Sequence, residues 1–133
     1  MQIIAENKQA VFKYDPNRKL LLSTYKGIFN YDLAKESYNQ IEGVEVVGKI
    51  ADVRKLNGSF MKLMSEFREK YPILKKQGLA AEAFVISDDL MINNLVEKLR
   101  AQLKSIGIET YACQTIEEAE SWIQTYLSLE NIE

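Results

Sequence analysis

The chain has 133 residues, 17 basic and 19 acidic side chains, 47% hydrophobic residues and a formal net charge of -2. That length suits one domain, 1–133, able to bury its own core, and the mix of apolar and charged residues excludes a disordered chain. The absence of His and the single Cys exclude His-based triads, mixed Cys/His zinc sites, iron–sulfur ligation and internal disulfides.

The N-terminus lacks the basic-then-apolar order of a signal peptide. No apolar run reaches the roughly 18 residues of a membrane span. A cytoplasmic protein with no transmembrane helix is the expectation. Ile3 to Glu6 reads as a short leading strand. Val11 to Asp15 is extended, Asp15-Pro16-Asn17-Arg18 is a turn, and Lys19 to Lys26 is the partner strand, ended by Gly27.

The first helix starts near Asn30 or Asp32, both suitable caps. Leu33, Ser37, Tyr38 and Ile41 share its face, and Gly43 stops it. Val44 to Val53 is mostly apolar, as in a strand covered on both faces. Phe60, Leu63, Met64, Phe67 and Tyr71 form one stripe of a second helix, with Ser59 as its cap and Pro72 as a kink or restart.

Ala80 to Ser87 is the next strand. Asp88 or Asp89 caps a third helix with Ile92, Leu95, Val96, Leu99 and Leu103 on its buried face. Ile108 to Cys113 is a last short strand. Thr115 and Glu118 frame a capping box before the final helix, lined by Ala119, Trp122, Ile123 and Tyr126. The order predicts an α/β fold, with a mixed, mostly parallel sheet, an N-terminal hairpin and about four helices.

Charge is uneven along the chain. Residues 54–77 hold seven bases against two acids, and residues 108–133 hold six acids and no base. An acidic domain without a nucleic-acid motif is a poor partner for duplex DNA or RNA, so no nucleic acid is expected. The glycines form no phosphate-binding fingerprint. Asp88-Asp89 has no calcium-loop spacing. No cofactor and no metal are expected.

Asp52, Arg54, Lys55, Asn57, Gly58, Ser59 and Phe60 run from the carboxyl end of a central strand into a helix start. Ligands of open α/β sheets favour that place, and a helix N-terminus attracts anions. The same residues also have purely structural roles: Asp52 pairing with a nearby base or amide, Gly58 at a positive φ, Ser59 as a cap. Tyr38, Tyr71 and Tyr126 lie on apolar stripes and belong to the core or an interface. Tyr25 and Tyr31 flank the Gly27 turn, where they can line a groove. Trp122 packs its helix on the sheet, and nothing near Cys113 in sequence lowers its pKa.

Three stretches resemble the SpoIIAA-like group, also described as STAS/SEC14-like domains. They are Lys49-Ile50-Ala51-Asp52-Val53-Arg54-Lys55-Leu56-Asn57-Gly58, then Gly78-Leu79-Ala80-Ala81-Glu82-Ala83-Phe84-Val85-Ile86, and Thr115-Ile116-Glu117-Glu118-Ala119-Glu120-Ser121-Trp122-Ile123. The resemblance covers roughly residues 10–127. It implies a small bacterial cytoplasmic protein with a STAS-like fold. It also implies phosphorylation at Ser59, where the family's Asp-Ser-x-Gly pattern reads Asn57-Gly58-Ser59-Phe60 here.

Three functional readings follow. The first is a non-catalytic STAS-like interaction or regulatory domain, whose partner is an unknown protein or a second copy of the chain in a homodimer through a sheet edge or the Phe/Met helix. The second is a module for a small anionic ligand or lipid headgroup, using the basic 54–77 segment. The third is an enzyme built on Asp, Lys or Tyr chemistry. An apolar cavity favours the second, and Asp52 beside another ionisable group with a shifted pKa favours the third.

Overall fold

The computed structural model of the protein describes residues 1–57 and 71–130. In chain order the elements are β1 (Gln2–Glu6), β2 (Ala10–Asp15), β3 (Leu20–Ile28), α1 (Tyr31–Gln40), β4 (Gly48–Asn57), β5 (Ala81–Val85), α2 (Leu90–Ser105), β6 (Glu109–Cys113) and α3 (Ile116–Glu130). A further helical segment spans 71–76. The expected helical stripe from Phe60 to Phe67, and the expected cap at Ser59, lie outside the described residues.

The six strands stand in sequence order, β1 to β6. The β1–β2 and β2–β3 pairs are antiparallel, and the next three are parallel. This is the expected fold class: an N-terminal hairpin continued into a mostly parallel sheet. Every parallel step moves the same way across the sheet. Crossovers of one hand therefore put the connecting helices on one face. Tyr38 and Ile41 after β3, Tyr71 and Leu74 in 71–76, and the apolar face of α2 join Phe12, Ala51 and Phe84 in one core. α3 follows the last strand, so no return crossover constrains it. It packs Ala119 and Ile123 on Leu20, Ile50, Ala83 and Val85, across the opposite face. Gly48 lets it approach: a Cβ there lies 3.0 Å from Ile123 Cγ2.

The helix ends follow the residues expected to cap them. Asn30 Oδ1 accepts from the Leu33 N–H, and Asp89 Oδ1 from those of Met91 and Ile92. All five residues expected on the buried face of α2 are buried there. At α3 the Thr115 hydroxyl accepts from the Glu118 N–H at 3.1 Å, as in a capping box. The Glu118 carboxylate departs from the box, because it accepts from the Thr115 hydroxyl at 3.2 Å.

Several strand boundaries differ from expectation: β4 runs past Val53 to Asn57, and β5 ends at Val85 rather than Ser87. The apolar run from Val44 is not strand until Gly48. Val44 N–H closes the end of α1 on Ile41 O, and Val47 N–H bonds to Lys19 O, so these residues form a connection that buries only Val46. Gly27 does not end β3. It takes φ +79° within the strand, pairs with Leu56, and β3 runs on to Ile28. Among the described residues no helix is long and apolar enough to cross a membrane.

Candidate interaction site

The carboxyl end of β4 is shaped by one extra residue. Thr24 pairs with Asp52, but Lys26 pairs with Lys55, so β4 spends three steps where β3 spends two. Such a bulge re-aims side chains. Lys49, Ala51 and Val53 alternate toward the face under α1 and α2. After the bulge Leu56 returns to that core, while Arg54, Lys55 and Asn57 are all exposed.

Arg54 folds back on Asp52. Its Nε lies 3.0 Å from Oδ1 and its Nη2 2.9 Å from Oδ2, and its N–H donates to Oδ1 at 3.2 Å. Asp52 is nearly buried, whereas the Arg54 side chain is 40% exposed. The hydrogen bonds to Asp52 hold Arg54 above even its usual pKa, against some desolvation. Asp52 is therefore a positioning carboxylate. Both its oxygens hold the guanidinium edge, so that the planar face and outer donors of Arg54 point outward.

The surroundings of this pair are apolar and acidic by turns. Ile28, opposite Asn57 in register, is 80% exposed. Leu90 and Met91, also exposed, begin α2 beyond the carboxyl end of β5. Glu117, from the first turn of α3, acts on Arg54 electrostatically. Cys113 lies on this side too. Burial pushes its thiol pKa up, and it contacts Phe84 O and Thr115 O at 3.7 and 3.4 Å. It is a weak nucleophile. Gly58, Ser59 and Phe60, and with them the expected phosphorylation site, lie outside the described residues.

A second polar group, unforeseen as a site, lies beneath the helices. Lys49 and Glu82 are directly paired in the β4–β5 ladder, so parallel strands project them side by side. They are 1% and 0% exposed, with Nζ 3.8 Å from Glu82 Oε2. Lys49 Nζ donates to the Tyr38 hydroxyl at 2.6 Å, and the Tyr71 hydroxyl donates to Glu82 Oε2 at 3.0 Å. The ammonium also sits 5.1 and 5.3 Å from the Tyr38 and Tyr71 ring centroids.

Burial raises the Glu82 pKa, opposed by Lys49 and the Tyr71 hydroxyl. Burial is the largest influence on Lys49 and works to lower its pKa, but Glu82 together with Tyr25, Tyr38 and Tyr71 outweighs it and the net shift is upward. Tyr25, expected beside a turn, is instead fully inside this group, where burial raises its pKa strongly. Tyr38 and Tyr71 are core residues as expected, with their hydroxyls spent on the ion pair. A sequence signal for the pair did exist. Lys49 and Glu82 each interrupt a strand core that is otherwise mostly apolar, one residue after its start.

Glu82 Oε1 is buried and has no hydrogen-bond partner among the described residues. It borders a cavity of about 30 Å³ lined by Tyr25, Phe29, Tyr38, Lys49 and Leu99 among others. That is the volume of one water molecule, an order of magnitude below the roughly 300 Å³ at which ligand pockets begin. A crystal structure at high resolution is expected to show a single ordered water bonded to Glu82 Oε1 and Lys49 Nζ. Density for a larger molecule, or a dry cavity, contradicts this.

No family model matches the chain, and neither a curated protein nor a solved structure matches it.

Proposed function

We propose that this chain is a non-catalytic, STAS-like regulatory module that works through protein contacts at the carboxyl ends of β3 and β4. The mixed sheet with its N-terminal hairpin is compatible with that topology. The observation that carries the reading is the bidentate Asp52–Arg54 pair. It takes up the strand-end carboxylate that an enzyme needs as a base, and it orders a partly exposed arginine on the strand end that also carries exposed Asn57 and its register partner Ile28. A pre-ordered Arg on the same strand-end surface as an exposed aliphatic residue has the composition of an interface. The one-water size of the Lys49–Glu82 cavity weighs against a metabolite at that site.

A photo-cross-linking residue in place of Ile28 tests the reading in the protein's own host cells. The expected result is a discrete protein adduct whose yield falls at least roughly tenfold when Arg54 is also changed to Gln, as for a hot-spot arginine. The same cross-linker at exposed Lys98 on α2 gives no such adduct. Equal adducts from both positions, or indifference to Arg54→Gln, overturn the proposal. Because Asp52 is nearly buried, the urea midpoint of Arg54→Gln is measured alongside, so that a loss of fold is told apart from a loss of the contact.

A further inference from the structure

The two edges of the sheet are finished differently. β1 breaks register between Ile3 and Ala5. Irregularities of this kind turn an edge away from further pairing. β6 is in unbroken register with β5 over Glu109 to Cys113. Its sequence, Glu109-Thr110-Tyr111-Ala112-Cys113, contains neither Lys nor Pro, two residues that commonly block an edge. Among the described residues no strand lies beyond it.

The open groups on that edge can be named. Glu109 N–H bonds to Ala80 O and Ile86 N–H bonds to Cys113 O, so the odd-numbered residues of β6 face inward. Alternation directs the N–H and C=O of Thr110 and Ala112 outward. Tyr111, 37% exposed, stacks on Trp122 with centroids 5.3 Å apart, and Trp122 stacks on Tyr126 at 5.7 Å. A row of aromatic rings thus flanks the open edge.

Charge selects among occupants. Glu109 shares the Tyr111 face of β6, and Glu118 stands one turn before Trp122 on the same stripe of α3. Residues 108–133 hold six acids and no base. Arg100 reaches β6 from α2, but it is already bonded to Thr110 Oγ1 at 3.0 Å and Glu97 Oε1 at 2.7 Å.

We propose that the outer edge of β6 docks an extended, lysine- or arginine-bearing segment of a partner protein. The segment adds a strand on Thr110 and Ala112 and lays a cationic side chain over the Tyr111 ring. A second copy of this chain is a poorer fit, because joining two β6 edges sets one acid-rich face against another. The proposal stands apart from the carboxyl-end surface and does not depend on it.

The probe is a short blocked peptide in which lysine and valine alternate, titrated into the isotope-labelled protein at low ionic strength. The Thr110 and Ala112 amide signals are expected to shift saturably and their hydrogen exchange to slow. Added salt weakens the binding. Tyr111→Ser weakens it about tenfold through the lost cation–ring contact. Ala112→Pro removes an outward donor while leaving the β5 ladder intact, and abolishes the Thr110 amide shift, the reporter that this variant retains. Protection of the Ala83 and Val85 amides verifies the fold of each variant. Three results overturn the proposal: unmoved Thr110 and Ala112 signals, equal binding of a control peptide of the same length with glutamate in place of lysine, or a wild-type dimer that Ala112→Pro makes monomeric.

Discussion

Lys49→Met destabilises the protein by about 3–5 kcal/mol, the cost of leaving one member of a buried ion pair without its partner. Glu82 has no exposed surface, so its carboxylate keeps only the Tyr71 hydroxyl. The double change Lys49→Met with Glu82→Leu removes both charges and fills the space with apolar atoms. Its stability is expected within about 2 kcal/mol of wild type, since the lost ion pair and its desolvation nearly cancel. The hydrogen bonds that the Tyr38 and Tyr71 hydroxyls make to the pair are the main remaining cost. Urea denaturation with an unchanged slope reads each variant. A double variant as unstable as the two single changes added together shows that the pair is not coupled.

The single variant carries a pH signature. Without Lys49, burial raises the Glu82 pKa further above its unfolded value. A carboxyl raised in the folded state contributes stability below its unfolded pKa of about 4.3, and that stability is lost as pH rises through the folded pKa. The Lys49→Met deficit is therefore smallest in mild acid and grows toward neutrality. A deficit independent of pH between these limits points to lost packing instead.

Alkaline unfolding is the second large effect. Burial raises the Tyr25 and Tyr71 pKa values, and the Glu82 carboxylate raises that of Lys49 against its own desolvation. Each group keeps its proton in the folded state after the unfolded chain has begun to lose it, near pH 10. The sign is the same for all three. Their contributions are complete below the unfolded pKa values and are lost as pH rises above them. Each proton is worth about 1.4 kcal/mol per pH unit, so three give a fall approaching 4 kcal/mol per unit. Urea midpoints should change little from these groups up to pH 9 and drop steeply beyond about pH 10. Tyr25→Phe removes about one third of that slope. A slope below one proton's worth means that these groups are wet.

The carboxyl end of β4 shows the limit of one-dimensional reading. Asp52, Arg54, Lys55 and Asn57 were identifiable as a strand-end surface because ligand and partner sites in open α/β sheets gather there. Alternation alone does not place Arg54 and Lys55 together outside while Leu56 returns to the core. That follows from the extra residue between the Thr24–Asp52 and Lys26–Lys55 pairs. A bulge is a property of two strands, and neither strand's pattern records it.

What the sequence determined by itself is the succession of elements, the caps at Asn30 and Asp89, the buried face of α2 and the parallel character of the later strands. These depend on near neighbours in the chain: a side chain three residues from an N–H, an apolar stripe of helical period, a helix between two strands. Tertiary structure alone decided the pairing of Lys49 with Glu82, the enclosure of Tyr25 and the placement of α3 on the opposite face. In each case residues distant in the chain are brought together by strand register or crossover direction. The free energy of burying a charge, or of leaving an edge unpaired, depends on the groups that arrive beside it.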